Sequence, residues 1–191
     1  MPQRQRSPAS SRASIVAVRD ATPADHAAIR EVVQAAYRPY AAKLPPTAFR
    51  AYLADLLDID AHARAGQLLV ATVDDRVAGS VVFYPDASAQ GLGWPTGWAG
   101  GRALAVHPDR RRHGAGTALM AELERRALAC GAPAFAFHTS QFMTTAIALY
   151  ERLGYRRRPA FDLDISARYG IQDSTPWCAL AYTRRPAADA A

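Results

Sequence analysis

Leu104-Ala105-Val106-His107-Pro108-Asp109-Arg110-Arg111-Arg112-His113-Gly114-Ala115-Gly116-Thr117 is the stretch on which the reading of this chain turns. It runs from an apolar segment through a proline into three arginines and two closely spaced glycines, and then into a helical pattern. The spacing predicts a strand over 102–106, ended by Pro108, and a helix from Gly114 to about Ala129. Leu119, Met120, Leu123 and Ala127 form the inward stripe of that helix. The first turn of a helix carries free N–H groups and a partial positive charge. Glycines let the backbone approach an anion, and neighbouring arginines add forked donors. The combination suits a pyrophosphate.

Two familiar phosphate-binding designs fail on spacing. A Walker loop needs Gly-Lys-Ser or Gly-Lys-Thr, and the chain has neither. A dinucleotide fold needs G-x-G-x-x-G directly after a strand. Here Leu119 stands where the third glycine belongs, and residues 107–113 separate Val106 from Gly114.

Upstream, Ile15 to Arg19 alternates as a short strand. Thr22 with Pro23 opens a helix carrying Ile29, Val32, Val33 and Ala36. The Lys43-Leu44-Pro45-Pro46 loop ends it, and a second helix runs from about Thr47 to Leu57. Gln67–Val73 and Val77–Tyr84 are β-rich, and Asp74-Asp75-Arg76 turns between them as a hairpin. Pro85 to Gly100, with Trp94 and Trp98, reads as a long loop of the kind that often serves function. Downstream, Ala134–Thr139 is a strand and Met143–Leu153 a helix with Gly154 as its stop. Tyr155–Asp164 and Ala179–Thr183 read as closing strands. The order β-α-α-β-β-β-α-β-α-β-β, with no internal repeat, predicts one α/β (α+β) domain with a mixed, mostly antiparallel central sheet flanked by helices.

The chain has 191 residues, half of them hydrophobic and 21% charged, which is globular composition for a single domain. No apolar run reaches the length of a membrane span. Arginine-rich residues 1–13 lack the apolar core of a secretory signal and read as a disordered basic tail. The C-terminal stretch from Arg184 looks equally unstructured, which places the domain at 14–184 and a second tail at 185–191. Net charge is +6, yet Lys43 is the only lysine. The arginines cluster beside the glycine turn rather than along a stripe, so nucleic acid is not the expected partner. Cys130 and Cys178 stand alone, without metal-ligand spacing, and suggest reduced thiols in a cytoplasmic protein with no metal.

Arg111-x-x-Gly114-x-Gly116 after Leu-Ala-Val-x-Pro resembles the acyl-CoA signature of the GNAT superfamily of N-acetyltransferases. Ala146-Ile-Ala-Leu149-Tyr150-Glu-Arg-Leu-Gly154-Tyr155 is similar to that family's late helix and its ending. The resemblance implies acetyl-CoA as cosubstrate and direct acyl transfer to an amine in a ternary complex. It implies that Leu104, Ala105 and Val106 pair with the pantetheine arm and polarise the thioester carbonyl. It also implies that the segment Arg111, Arg112, His113, Gly114, Ala115, Gly116 and Thr117 holds the pyrophosphate, and that Tyr150 returns a proton to the leaving thiolate. The acceptor is an amine on a small molecule, a peptide N-terminus, a lysine side chain or an aminoglycoside, and members of the fold often form homodimers.

The general base is where the resemblance thins. An amine with a pKa of about 10 is mostly protonated at neutral pH, so some group must take its proton. Relatives often place Glu on the strand before Leu-Ala-Val, where this chain has Gly100-Gly101-Arg102. His138, at the end of the Ala134–Thr139 strand, is the substitute the sequence offers, and the position equally suits a histidine held in a strand-end hydrogen-bond network. Asp86 with a water chain is a further option. Met143 stands where relatives often carry Asn, so a cap or polar contact is either missing or supplied by Ser140 or Thr144. The missing carboxylate also leaves open a non-catalytic acyl-CoA sensor or regulatory module. His107 and His113 read as surface residues or phosphate contacts. Tyr37, Tyr40, Tyr84, Trp94 and Trp98 serve as anchors or border an acceptor with an apolar part.

Overall fold

The computed structural model describes residues 15–172 and 176–186. The expected tail at 1–13 lies outside them, as does all of 185–191 except Arg185 and Pro186. The chain order is β1 (Val16–Asp20), α1 (His26–Tyr37), α2 (Pro46–Leu57), α3 (Ile59–Ala65), β2 (Gln67–Val73), β3 (Arg76–Tyr84), β4 (Ala99–Val106), α4 (Ala115–Ala129), β5 (Phe135–Ser140), α5 (Thr144–Arg152), β6 (Arg156–Arg157), β7 (Leu163–Asp164) and β8 (Cys178–Arg184).

The strands form one sheet in the order β1-β2-β3-β4-β5-β8-β6, with β7 also paired to β8. Every pairing is antiparallel except β4 with β5. Alternation along β2 and β3 sends side chains to two buried faces. Leu69, Ala71, Val81 and Phe83 pack under α4 and α5 with Leu119, Leu123 and Tyr150. Leu68, Val70, Val82 and Tyr84 pack under α1 and α2 with Ile29, Val33 and Leu56. The predicted stripe of α1, spaced i, i+3, i+4 and i+7, is the one that is buried. Asp74 and Asp75 both have left-handed φ, 48° and 62°, which is what a two-residue hairpin turn requires. Val73 then pairs with Arg76, so Arg76 opens β3 instead of completing the turn.

Three local expectations change. The helix α3 had no strong periodicity to announce it. Asp58 caps it by accepting the Ala61 N–H at 2.9 Å, and Ile59 and His62 are its buried residues. The single closing strand expected over 155–164 is broken, because Pro159 starts a 3₁₀ turn between β6 and β7. Arg184 is the last residue of β8, not the start of a tail, and donates to Glu124 at 3.0 Å and to the Leu153 carbonyl at 2.8 Å.

Candidate active site

Strands β4 and β5 run parallel and are in register at only two places, Ala99 opposite Phe135 and Gly100 opposite Ala136. Beyond Gly100 they diverge, and a cavity of roughly 440 Å³ opens between them and the start of α4. Glycine is required at the seam. A Cβ on Gly100 would lie 2.6 Å from the Ala87 Cβ, and one on Gly101 would lie 3.0 Å from the Phe135 ring. Neither position has room for the carboxylate that relatives often carry there.

On its other side β4 pairs with β3 through a bulge. Ser80 faces Ala105 and Val82 faces Arg102, so Ala103 and Leu104 together oppose Val81, with Ala103 at φ 56°. The Tyr37 hydroxyl donates to the Leu104 carbonyl at 3.1 Å. Leu104, Ala105 and Val106 all line the cavity.

The glycine turn follows. Arg112 and Gly114 have left-handed φ, 68° and 88°, and Gly114 is the N-cap of the 15-residue helix α4. No side chain caps that end, and the Ala118 N–H is the first to bond back, to the Gly114 carbonyl at 2.9 Å. The first-turn N–H groups of Ala115, Gly116 and Thr117 therefore have no intrahelical acceptor, which is the arrangement that binds oxyanions. Gly116 has ordinary space around it, with Leu149 and Val106 side chains 3.5 Å from a notional Cβ. Arg111 and Arg112 line the cavity, with the Arg111 Nε 3.4 Å from the Val106 carbonyl. His113 is exposed and does not line it. His107 lies outside the cavity too, its ring accepting the Asp109 N–H at 3.3 Å.

Tyr150 projects from α5 against Phe137, with ring centres 4.2 Å apart. It is 6% exposed and lines the cavity. Burial pushes its hydroxyl far above the ordinary tyrosine value. At neutral pH it is a protonated phenol, a group that can give a proton but not take one.

His138 lies on the opposite face of the sheet. Phe135 and Phe137 point toward α4 and α5, while Ala136 packs with Ala87, Trp94 and Ala181. Alternation puts His138 on the face of Ala136. Its Nε2 is 2.8 Å from the Phe161 carbonyl, which can only accept, so Nε2 carries the hydrogen. Nδ1 is then a bare lone pair, buried and without a partner among the described residues. The ring packs against Trp94 with centroids 4.3 Å apart and a tilt of 31°, and burial lowers its pKa. The Phe161 bond satisfies the structural reading of His138 at one nitrogen, and the other is enclosed by its surroundings.

Arg102 is the residue the sequence reading passed over. A lone charge inside the apolar run Ala99–Val106 was the available signal. It pairs with Asp55 of α2, whose Oδ2 also accepts the Tyr169 hydroxyl at 2.8 Å. Burial works against its charge, Asp55 and the tyrosines Tyr169, Tyr84 and Tyr52 favour it, and the balance lies above the ordinary arginine value. Asp86 is engaged elsewhere, accepting the Ser88 N–H at 2.9 Å, and is not on the cavity wall. Met143 is buried at the uncapped start of α5, and the Ser140 hydroxyl is taken by the Trp177 indole at 2.9 Å. Trp94 is buried and lines the cavity, whereas Trp98 stacks behind it.

Among the described residues no cluster of three or more His, Cys, Asp or Glu could hold a metal ion, and no helix is long and apolar enough to cross a membrane. The acetyltransferase (GNAT) family model matches residues 27–155. No curated protein matches the chain. A GNAT family acetyltransferase from Brucella melitensis, solved in complex with acetyl-CoA, is 27% identical, with 74% of this chain and 83% of that chain covered and a TM-score of 0.54. A GCN5-related N-acetyltransferase from Rhodopseudomonas palustris is 20% identical over 88% of this chain and 94% of its own, with a TM-score of 0.64. The histone acetyltransferase HPA2 and related acetyltransferase from Corynebacterium glutamicum is 22% identical over 92% and 99%, with a TM-score of 0.62. The last two speak to the fold alone.

Proposed function

This chain belongs to the acetyltransferase (GNAT) family, and on that footing we propose that it moves an acetyl group from acetyl-CoA to a primary amine by direct transfer in a ternary complex. The observation that carries this reading is the divergence of β4 from β5 beside an uncapped helix start. It supplies a free strand edge and a cluster of free N–H groups at two ends of one cavity. The residues present fit acetyl-CoA. A pantetheine arm has amides that can pair with the backbone of Leu104, Ala105 and Val106, and a pyrophosphate matches the N–H groups from Arg112 to Thr117 with Arg111 and Arg112 beside them.

Acetyl-CoA supplies an activated acyl carbon. The chain's own residues orient it and manage two protons. The acceptor nitrogen, entering as a neutral amine once solvent has taken its first proton, forms a bond to the acyl carbon as the carbon–sulfur bond breaks, and its second proton passes to Nδ1 of His138 and from there to solvent. The Tyr150 hydroxyl gives its proton to the departing thiolate. A buried, neutral phenol and a buried, neutral imidazole are the protonation states these roles need. They stand on opposite faces of β5, Tyr150 against Phe137 and His138 against Trp94.

Calorimetry with acetyl-CoA tests the donor half. No heat of binding at millimolar ligand would sink the proposal. A thiol-release assay across amines tests the transfer. A second reading, a non-catalytic acyl-CoA sensor, is favoured by the glycines and arginine at positions 100–102, where a carboxylate base has no place. Turnover on any amine excludes it.

A further inference from the structure

The wall of the cavity has an unusual charge balance. Five arginines contribute to it, Arg102, Arg111, Arg112, Arg152 and Arg168, and no Asp or Glu does, among the described residues. Arg111, Arg112 and Arg152 lie on or beside the elements that frame the glycine turn. Arg102 and Arg168 lie elsewhere, one on β4 and the other in the segment after β7. Arg102 shares a face with His138, because both stand two residues beyond the paired Gly100 and Ala136.

The guanidinium of Arg102 is not spent. It has five N–H donors, and among the described residues its side chain makes one close hydrogen bond, to Asp55, with the Tyr84 hydroxyl as a further neighbour. Asp55 is itself held by the Tyr169 hydroxyl, so the arginine is braced from behind while its remaining donors are left over. A polyamine or aminoglycoside would bring several positive charges to a wall that holds no carboxylate, and the like charges would repel. An amine that also carries an anion would meet a forked donor suited to it. Leu92, Trp94, Leu163 and Ile165 add apolar surface to the same wall, beside the polar Gln90 and His138.

We infer that the acceptor is an amine bearing a carboxylate and an apolar body, in the manner of a hydrophobic amino acid, with its carboxylate seated on Arg102. The inference rests on the acetyl-transfer reading for its use, but not for its test. The protein, alone and with saturating CoA, is titrated with N-acetyl-phenylalanine and with N-acetyl-phenylalaninamide, followed by tryptophan emission, since Trp94 is on the wall. The acid should bind about tenfold or more tighter than the amide, the range expected for a charge-assisted hydrogen bond. Arg102→Gln alone strands Asp55, so the informative variant is Arg102→Gln with Asp55→Asn, which removes both charges. It should erase the difference, while Arg102→Lys should keep part of it. Equal binding of acid and amide, no binding of either at millimolar concentration, or an undiminished preference in the double variant would each overturn the inference. In the thiol-release assay, phenylalanine should outpace phenylalaninamide, and faster transfer to spermidine than to any amino acid would also overturn it. Failure to bind acetyl-CoA would instead remove the acetyl-transfer reading and leave the carboxylate preference of the cavity standing.

Discussion

Arg102 and His138 are equivalent positions on two strands that have come apart. Each lies two residues past the last matched pair, Gly100 and Ala136, and each faces the same side of the sheet. In an unbroken sheet they would be neighbours. Here the cavity lies between them, with the Arg102 guanidinium on one bank and the His138 ring on the other. Replacing His138 with Gln, which keeps a polar side chain but removes the basic nitrogen, should lower kcat by about 100-fold and leave acetyl-CoA affinity within about twofold. Steady-state kinetics beside calorimetry would check this. Unchanged kcat would return His138 to its structural role at the Phe161 carbonyl.

Tyr150→Phe removes one oxygen from a ring whose packing against Phe137 remains. Turnover should fall by about 100-fold or more, with little change in thermal midpoint and in acetyl-CoA binding. Weaker binding with turnover preserved would assign the residue to packing.

Gly114 and Gly116 should behave differently. At φ 88°, alanine at 114 must adopt a left-handed conformation, at a cost of roughly 1–2 kcal/mol. Gly114→Ala should therefore lower the unfolding midpoint and weaken acetyl-CoA together. Gly116 is inside α4 with open contacts at 3.5 Å, so Gly116→Ala should fold normally and lose affinity only. Denaturant unfolding and calorimetry on both variants separate the two effects.

Tyr37→Phe leaves three-tyrosine packing with Tyr40 and Tyr52 in place and removes the donor to Leu104. The expected loss is about 1 kcal/mol of stability, because the carbonyl sits in a bulge with no strand partner to replace it. Urea unfolding is the measurement. A wild-type midpoint would mean that water already serves that carbonyl.

Among the described residues His62 and His138 each keep one ring nitrogen buried and unpartnered, and burial lowers both pKa values from 6.5. The unfolded chain then binds protons before the folded one does, so stability is complete above pH 6.5 and declines as pH falls below it. Glu122, pulled down to about 2 by Arg125 and Arg126, titrates far below that window. The thermal midpoint should begin to drop between about pH 6.5 and 5, and His62→Leu should flatten that drop. A midpoint independent of pH across that range would contradict the burial of the neutral rings.

The sheet, its faces and the glycine turn were legible because each leaves a periodic or local mark. The stripe Ile29, Val32, Val33, Ala36 and the turn Gly114-Ala115-Gly116 can be read from a few neighbouring residues. The surroundings of Arg102 could not be read in that way. Arg102, Asp55 and Tyr169 are brought together from β4, α2 and a 3₁₀ turn across more than a hundred residues of chain, and no spacing records such a meeting. The glycines at 100 and 101 looked like the absence of a base. In the folded chain they are the condition for β4 to touch Ala87 and Phe135. The two short strands around Pro159 were lost for the opposite reason, since each is too brief to show alternation.

The divergence at Gly100 also leaves one edge of β4 without a strand beside it. Amide hydrogens along Gly101 to Val106 that point away from β3 have no strand to protect them, and in the free chain they should exchange with deuterated water faster than the rest of β4. A donor molecule lying in the gap would act as a temporary ninth strand. It would slow that exchange and raise the melting temperature in proportion to the logarithm of its concentration. Occupancy of the site would then be visible as added order in the protein itself, before any chemistry takes place.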